Sequence, residues 1–331
     1  MTGAPTAPLL EVRDLAVAFN TPDGVLEAVR GVSFDLARGR TLGIVGESGS
    51  GKSVATQSMV GLTRGARITG QALFDGRDLL ALPAAELRAI RGRGIAMIFQ
   101  SPMSSLHPLY TIGWQITEMI RAHEHVTSAQ ARVRAIELLG HVGIPRPERR
   151  VDDYPHQYSG GMLQRAMIAM AIALNPRILV ADEPTTALDV TVQSQILRLL
   201  RRLQQEFGTA IIMITHDLGV VAETAHDVLV MYAGRAMEQA PRESLLRSPR
   251  HPYTQGLLRS RPRLGTHGTR LIPIPGQPPS LIAPPPGCPF HARCEHSIDR
   301  CTSSAPPLAA SADGDSAHRS ACWLSGQGTA P

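Results

Sequence analysis

The stretch GESGSGKS, residues 46–53, constrains the fold of this chain more than any other feature. It fits the pattern G-x-x-x-x-G-K-[ST], in which glycines let the backbone curl so that consecutive N–H groups point inward. The apolar run TLGIV, residues 41–45, predicts a buried strand directly before it, and a helix is expected from Lys52 to about Leu62. A strand, a glycine-rich turn and a helix in this order predict an α/β protein.

Lys52 is the only lysine of the chain, whose 33 basic residues are otherwise all arginine. A compact ammonium can fold over the loop and sit between β- and γ-phosphates, a space that a planar guanidinium does not fit. The loop therefore predicts a nucleotide phosphate site, with the Ser53 hydroxyl on Mg²⁺. The alternative is a Gly-Ser turn that only begins a helix. The residues predicted to contact the nucleotide here are Gly46, Glu47, Ser48, Gly49, Ser50, Gly51, Lys52 and Ser53.

The composition is that of an ordinary soluble protein, with 43% hydrophobic residues over 331 positions. Aromatic residues make up 4%, which argues against a surface that stacks bases, and no nucleic-acid partner is expected. A net charge of +5 fits an anionic neighbour such as phosphate or a membrane surface, although solubility explains it more simply. No apolar stretch is long enough to cross a bilayer and the N-terminus resembles no secretory signal, so we expect a cytoplasmic protein.

The hydrophobic pattern divides the chain into strand-like and helical parts. Short alternating runs over residues 9–45 predict a small antiparallel sheet, and residues 68–100 return to strands that end in GIAMIF. From Trp114 to about Gly160 the apolar spacing becomes helical, most clearly in residues 129–140. Strands that alternate with helices then predict a mostly parallel, helix-covered sheet. Its later strands are expected at residues 178–181, 210–215 and 227–232.

Polar side chains follow several of the apolar runs. ILVADEP places Asp182 and Glu183 at the C-terminal end of a predicted strand, where open α/β sheets bind ligands. Asp182 is suited to the Mg²⁺ shell, and Glu183 to orienting an attacking water. The alternative is an acidic pair that caps the next helix, which suits Asp189 better because a helical run follows it. His216 after IIMIT and Gln100 after GIAMIF are ambiguous when taken alone.

A second predicted helix start also suits an anion. YSGGMLQR places Ser159, Gly160 and Gly161 directly before the helical run RAMIAMAIAL, and helix N-termini bind phosphates. The chain nevertheless has one glycine-rich loop of the phosphate-binding pattern. Two phosphate sites in one chain make sense if two chains meet head to tail and each completes the nucleotide site of the other.

These stretches, in this order over roughly residues 9–240, resemble the ATP-binding subunits of ABC transporters. Phe19 resembles the adenine-stacking aromatic of that family, with core packing as the alternative. Tyr158 departs from the family pattern, which more often has leucine there. The matching motifs are GESGSGKS as Walker A, Gln100 as the Q-loop, YSGGM as the signature, ILVADE as Walker B, TALD with Asp189 as the D-loop, and His216 as the switch histidine.

The resemblance implies a mechanism and a set of partners. Two ATP molecules would lie between two such subunits, each held by one Walker A loop and the partner's signature. Glu183 would position water and His216 would lie near the γ-phosphate, while Ser53, Gln100 and Asp182 would hold Mg²⁺. The implied partners are a second ABC ATPase, two transmembrane permease subunits touched through the segment after Gln100, and indirectly an extracytoplasmic binding protein. The implied location is the cytoplasmic face of the cell membrane.

The C-terminal part narrows the resemblance. HPYTQGLL at residues 251–258 and CPFHARC at residues 288–294 resemble the ATPases of dipeptide and oligopeptide importers. Nickel and other small-solute importers share much of this pattern, so the transported substrate stays open. A non-transport ABC ATPase is a weaker alternative. A P-loop kinase is another, because the stretch YSGGM has no function in such an enzyme. Peptide importers commonly pair two different ATPase chains, and the sequence leaves open which pairing occurs here.

The predicted fold class is a P-loop, RecA-like α/β domain with a mostly parallel sheet, an antiparallel β subdomain and a helical signature subdomain at about residues 101–165. We expect this ATPase domain over residues 1–260 and a Pro/Cys-rich extension over residues 261–331. Four thiolates are the ligand set of an iron–sulfur cluster, and the resemblance implies a [4Fe–4S] cluster there. By spacing alone, reduced thiols without a metal are an equal alternative, and zinc is the less natural one. The cysteines are Cys288, Cys294, Cys301 and Cys322.

Overall fold

A computed structural model describes residues 7–186, 188–260, 273–310 and 315–325. The chain divides into two compact units. The first comprises Met1–Ala37, Thr41–Ala81 and Thr215–Pro331, and the second comprises Arg38–Arg40 and Leu82–Ile214. The predicted extension begins with residues 261–272, which lie outside the described residues.

The strands and helices of the described residues are short to medium in length. The strands are β1 (Leu10–Thr21), β2 (Gly24–Leu36), β3 (Thr41–Val45), β4 (Ala66–Phe74), β5 (Arg77–Asp78), β6 (Ile95–Ile98), β7 (Ile178–Asp182), β8 (Ala210–Thr215), β9 (Asp227–Tyr232), β10 (Arg235–Pro241), β11 (Ala309–Ala310) and β12 (Arg319–Ser320). The helices are α1 (Lys52–Met59), α2 (Ala84–Ile90), α3 (Pro102–Ser105), α4 (Ile112–Arg121), α5 (Ser128–His141), α6 (Pro147–Arg150), α7 (Gly160–Ile172), α8 (Val190–Phe207), α9 (Leu218–Thr224), α10 (Arg242–Arg247), α11 (Pro252–Arg259) and α12 (Asp299–Ser303). Within the described ranges no helix is both long and apolar enough to span a bilayer.

The first unit contains the predicted antiparallel sheet, with the strand order β2-β1-β4-β5. Its central strand β1 alternates buried Leu10, Val12, Leu15 and Val17 with partly exposed neighbours. This alternation gives the strand one face for the core and one for solvent. The antiparallel sheet predicted over residues 9–45 is confirmed for β1 and β2, and β4 and β5 extend it beyond that range.

The remaining strands of the first unit lie on one side of β3, in the order β9, β10, β12 and β11. The strand β3 is buried throughout and pairs in parallel with β9, and β9 pairs antiparallel with β10. The helix α1 begins at Lys52 as predicted but ends at Met59, before the expected Leu62. Gly61 has φ 65° directly after the helix, a left-handed conformation that ends helical hydrogen bonding.

In the second unit β6, β7 and β8 form parallel pairs. The apolar runs at these positions form the buried strands that the sequence predicts. The expectation of strands throughout residues 68–100 is wrong at α2, which occupies Ala84–Ile90. Alanine, glutamate, leucine and arginine favour a helix there, and Pro83 fixes the backbone at its N-cap.

The helical part of the second unit includes α4, α5 and α7. The helix α5 extends the predicted 129–140 by one residue at each end, and a capping box of Thr127 and Gln130 defines its start. Gly113 in α4 lies against Val151, and its amide donates to the Val151 carbonyl at 2.8 Å. This close approach leaves no room for a side chain at position 113.

Gly113→Ala is expected to lower the free energy of unfolding by about 1–3 kcal/mol, because the added methyl group overpacks the contact. An ideal Cβ at Gly113 would lie 2.2 Å from Val151 Cγ2. The matched control is Gly140→Ala in α5, where the nearest heavy atom is Pro147 Cγ at 3.8 Å. That change should leave stability equal or raise it by up to about 1 kcal/mol. Urea unfolding measures both variants, and an unaffected Gly113→Ala would contradict the packing.

Candidate functional site

The glycine-rich loop closes around the ammonium group of Lys52. The Nζ atom donates to the carbonyl oxygens of Gly46 and Glu47, both at 2.8 Å, and to Ser50 Oγ at 3.3 Å. Lys52 is 5% exposed, whereas Ser48 and Gly49 at the tip of the loop are exposed. The loop therefore has the curled shape that the sequence predicts, with its tip accessible.

Two glycines of the loop are required by close backbone approaches. An ideal Cβ on Gly46 would lie 2.1 Å from the carbonyl oxygen of Met231. Gly51 has φ +96°, and a Cβ there would lie 2.3 Å from the carbonyl oxygen of Ala28. Any side chain at these positions would push the loop away from the strands behind it.

Two residues outside the predicted site contact Glu47 at the start of the loop. The Tyr253 hydroxyl accepts a hydrogen bond from the Glu47 amide at 2.9 Å, and Arg293 forms an ion pair with the Glu47 carboxylate at 2.8 Å. Burial raises the pKa of the Tyr253 phenol, so it stays protonated. No local sequence pattern predicts these contacts, because Tyr253 lies 206 residues and Arg293 lies 246 residues after Glu47.

In the second unit, β7 places Asp182 at its end, where the side chain is 4% exposed, and Glu183 directly after it. The Glu183 carboxylate accepts hydrogen bonds from Gln100 Nε2 at 3.1 Å and Thr186 Oγ1 at 2.8 Å, both at Oε2. The sequence proposed Gln100 and Glu183 separately, and the structure brings them together. The sequence analysis does not predict the contact of Thr186 with Glu183, although Thr186 belongs to the stretch ADEPTT.

Glu183 has a left-handed backbone conformation with φ 46°. This conformation is unusual for a residue with a side chain and typically costs about 1–2 kcal/mol. Hydrogen bonds from its amide to Ile214 O at 2.9 Å and from Thr186 N to its carbonyl at 3.2 Å hold it. A tight turn therefore directs this carboxylate at the end of the strand.

The signature stretch begins α7. The Ser159 hydroxyl caps the helix by accepting a hydrogen bond from the Met162 amide at 3.3 Å. The helix starts at Gly160, so both glycines lie in its first turn and not before it as predicted; the serine cap supplies the start signal. Ser159 and Gly160 are exposed, and a Cβ on Gly160 would meet no heavy atom within 4 Å.

The remaining candidate residues lie on separate elements. Asp189 caps α8 by accepting from the Val192 amide at 2.9 Å, the alternative role considered for it. His216 is exposed directly after β8. Phe19 is half-buried in β1 opposite Leu26 and Ala66.

Tyr158, the residue that departs from the family pattern, serves the core of the second unit. It is 7% exposed, and its hydroxyl donates to the Arg150 carbonyl at 2.8 Å. Burial raises the pKa of this phenol, so the donor stays protonated. The side chain therefore packs inside the second unit.

The four cysteines, all reduced, line one small cavity of about 10 Å³ together with His251 and Phe290. Burial, and to a smaller extent the neighbouring thiols, raises the pKa of Cys288 to about 11. Burial likewise raises the pKa of Cys294 and of Cys322. Within the part of the chain that the structure describes, no group of three or more His, Cys, Asp or Glu is arranged to hold a metal ion. The predicted iron–sulfur site is therefore not confirmed.

Comparison with known proteins identifies the family. Residues 29–186 match the family model described as ABC transporter, and residues 237–301 match that of the oligopeptide/dipeptide transporter C-terminal region. The oligopeptide transport ATP-binding protein OppD of Salmonella typhimurium is 51% identical over 312 residues, which cover 94% of this chain and 92% of the relative. The chain belongs to the ABC transporter family. The dipeptide transport ATP-binding protein DppD of Bacillus subtilis is 49% identical over 322 residues, covering 96% of this chain and 95% of that protein.

Solved structures agree with this assignment to the ABC transporter family. The ATP-binding cassette MJ0796, a dimer in a post-hydrolysis state bound to ADP and Pi, superposes with a TM-score of 0.64 at 28% identity. The match covers 70% of this chain and 98% of that one. CbiO1 from Clostridium perfringens, part of the ABC transporter complex cbiONQ, gives a TM-score of 0.60 at 29% identity and covers 74% of this chain and 97% of that one. The predicted family and fold class are confirmed.

Proposed function

We propose that this chain binds and hydrolyses MgATP as the ATPase subunit of an importer for dipeptides or oligopeptides. The observation that carries the proposal is the loop at residues 46–53, closed around the buried ammonium group of Lys52. Loop amides and a lysine of this kind suit the β- and γ-phosphates of a nucleotide. The peptide substrate is proposed from relatives named for oligopeptide and dipeptide transport and from the matching C-terminal region.

The magnesium ion would be held by oxygen and amide groups of Ser53, Gln100 and Asp182. The buried Asp182 carboxylate at the end of β7 fits this hard cation, which prefers oxygen ligands. When bound, Mg²⁺ would neutralise charge on the phosphates. Phe19 would stack on the adenine and His216 would contact the γ-phosphate, roles that we assign by motif. Asp189 would act at the contact between the two ATPase chains while it caps α8.

Glu183 is the proposed base for the attacking water. The water oxygen would bond to the γ-phosphorus, its proton would pass to the Glu183 carboxylate, and the bond to ADP would break. Gln100 and Thr186 donate to one carboxylate oxygen and so fix the orientation of the group. The turn at Glu183 fixes the direction of its side chain.

Glu183→Gln should reduce ATP hydrolysis by at least about a hundredfold, because the amide cannot accept the proton. ATP affinity should stay near that of the wild type, since the phosphate contacts of the loop are unchanged. Turnover and equilibrium ATP binding measure the two effects. The matched control is Glu137→Gln at an exposed position of α5, which should hydrolyse ATP normally. Near-normal turnover by Glu183→Gln would remove Glu183 from this role.

The signature residues Ser159, Gly160 and Gly161 would contact the ATP held by the loop of a partner chain. Gly160 supports this assignment because nothing within the described chain requires a glycine there. Glycine in the first turn of a helix is less favourable than alanine, so its presence indicates a group that approaches from outside. A phosphate at the helix N-terminus is such a group. The partner chain would be a related, different ATPase subunit.

Gly160→Ala should therefore keep or slightly raise thermal stability while lowering ATP hydrolysis by about tenfold or more. Thermal unfolding and turnover at saturating ATP are the measurements. Gly140→Ala again serves as the control, because it adds the same methyl group in a helix away from this turn. A Gly160→Ala protein with full turnover would show that no phosphate closely approaches the turn.

The membrane subunits would bind the segment after Gln100, which exposes a group of apolar side chains. Met103 is 60% exposed and Leu109 76%, and Tyr110 stacks on Trp114 with ring centroids 4.0 Å apart. Such a group in a short segment suits a protein contact. The chain would then act at the cytoplasmic face of the membrane. A transport assay with peptides and with nickel would distinguish a peptide importer from a nickel importer.

A second proposal concerns the extension at residues 261–331, taken as a separate element from an ATPase domain at residues 1–260. We propose that its four cysteines bind a [4Fe–4S] cluster, because all four line one cavity and four cysteine sulfurs are the ligand set of such a cluster. The cluster would cross-link a proline-rich segment. Iron and sulfide analysis of anaerobically purified protein should find about four iron atoms and about four sulfide ions per chain. Zinc-loaded or metal-free protein would contradict the assignment.

A further inference from the structure

We propose that Arg293, in the C-terminal extension, is a positioning residue for the glycine-rich loop. Its guanidinium fixes Glu47, and Glu47 supplies one of the carbonyl oxygens that hold the Lys52 ammonium. The inference rests on the proposed function, in which this loop binds the phosphates of ATP. It assigns the extension a direct effect on nucleotide affinity.

The contact between Arg293 and Glu47 has the geometry of a specific pair. Nη1 donates to Glu47 Oε2 at 2.8 Å and Nη2 donates to Oε1 at 3.1 Å. The side chain of Arg293 is 6% exposed and that of Glu47 is 26% exposed. Two parallel bonds between a planar guanidinium and a carboxylate fix direction as well as distance, which a single charge contact does not.

The guanidinium is itself held on every side. Its remaining bonds run from Nε to the Pro275 carbonyl at 2.8 Å, from Nη1 to Tyr232 Oη at 3.1 Å and from Nη2 to the Ile274 carbonyl at 3.2 Å. With the two bonds to Glu47, these use all five N–H groups of arginine. The rings of Tyr232 and Phe290 lie 5.6 Å and 5.9 Å from it. Lysine offers neither the planar shape nor five donors.

Three groups of Glu47 therefore form hydrogen bonds or ion pairs. Its carboxylate binds Arg293, its amide donates to the Tyr253 hydroxyl at 2.9 Å, and its carbonyl accepts from Lys52 at 2.8 Å. Tyr253 and Arg293 come from the two stretches that the sequence associated with peptide importers. The start of the loop is therefore ordered by residues from the C-terminal part of the chain. A loop ordered in advance loses less conformational entropy when it binds a ligand.

The alternative is that the ion pair only fastens the extension to the rest of the first unit. The aromatic contacts of Phe290 with Tyr232 and Tyr253, at 5.4 Å and 5.2 Å between centroids, also serve that purpose. A fastening role predicts a lower melting temperature for an Arg293 variant with unchanged ATP affinity. A positioning role predicts weaker ATP binding and a more mobile loop.

The experiment compares full-length wild type, Arg293→Ala, Arg293→Lys and Arg300→Ala. Arg300 is the matched control, because its guanidinium lies 3.5 Å from the Trp323 ring centroid in the same extension. Calorimetric titration with ATP gives Kd, and hydrogen–deuterium exchange of peptides that cover residues 46–53 reports the loop. We expect Arg293→Ala to raise Kd about tenfold and to speed exchange about tenfold. Arg293→Lys should resemble Arg293→Ala, and Arg300→Ala should stay within about twofold of wild type.

Kd and exchange rates of Arg293→Lys within about twofold of wild type would overturn the proposal. That variant keeps the positive charge and loses only the planar, bidentate donor geometry of the guanidinium. This variant also decides the matter if Arg293→Ala does not fold. Lys52→Ala tests the proposed function separately, because ATP binding by wild type and its loss in Lys52→Ala would uphold that function whatever the Arg293 variants do. The exchange measurement uses no ATP, so it decides the positioning role even for a chain that binds none.

Discussion

The proposed nucleotide site depends on the hydrogen bonds of the buried Lys52 ammonium group. A cation with little exposure must find oxygen atoms, and here two loop carbonyls and one hydroxyl supply them. The same bonds draw the loop into a curl, and the close approaches at Gly46 and Gly51 let it lie directly on neighbouring backbone. One lysine in a chain otherwise rich in arginine is therefore a geometric requirement of this loop.

The two phosphate-binding groups proposed for the chain differ in what surrounds them. The loop around Lys52 is held by contacts inside the first unit, whereas Ser159 and Gly160 begin a helix and are exposed. Glu183 is held by Gln100 and Thr186 in a left-handed turn. A loop closed by hydrogen bonds, an oriented carboxylate and an exposed helix start are the parts that the proposed site between two chains requires.

Much of this could be predicted from sequence because the signals are local. The strands β8 and β9 begin and end where their apolar runs do, and α1 starts at the predicted Lys52. The helix α2 was missed because a short amphipathic run does not distinguish helix from strand by periodicity. The contacts of Tyr253 and Arg293 with Glu47 could not be predicted from sequence, because they depend on a tertiary fold that brings distant positions together.

The most direct test of the account is a cryo-EM structure of the assembled ATPase pair with ATP, trapped by Glu183→Gln. Each γ-phosphate should lie within about 3 Å of Lys52 Nζ of one chain and of the signature serine of the opposite chain. A closed, ATP-bound assembly in which Ser159 faces bulk solvent would contradict it.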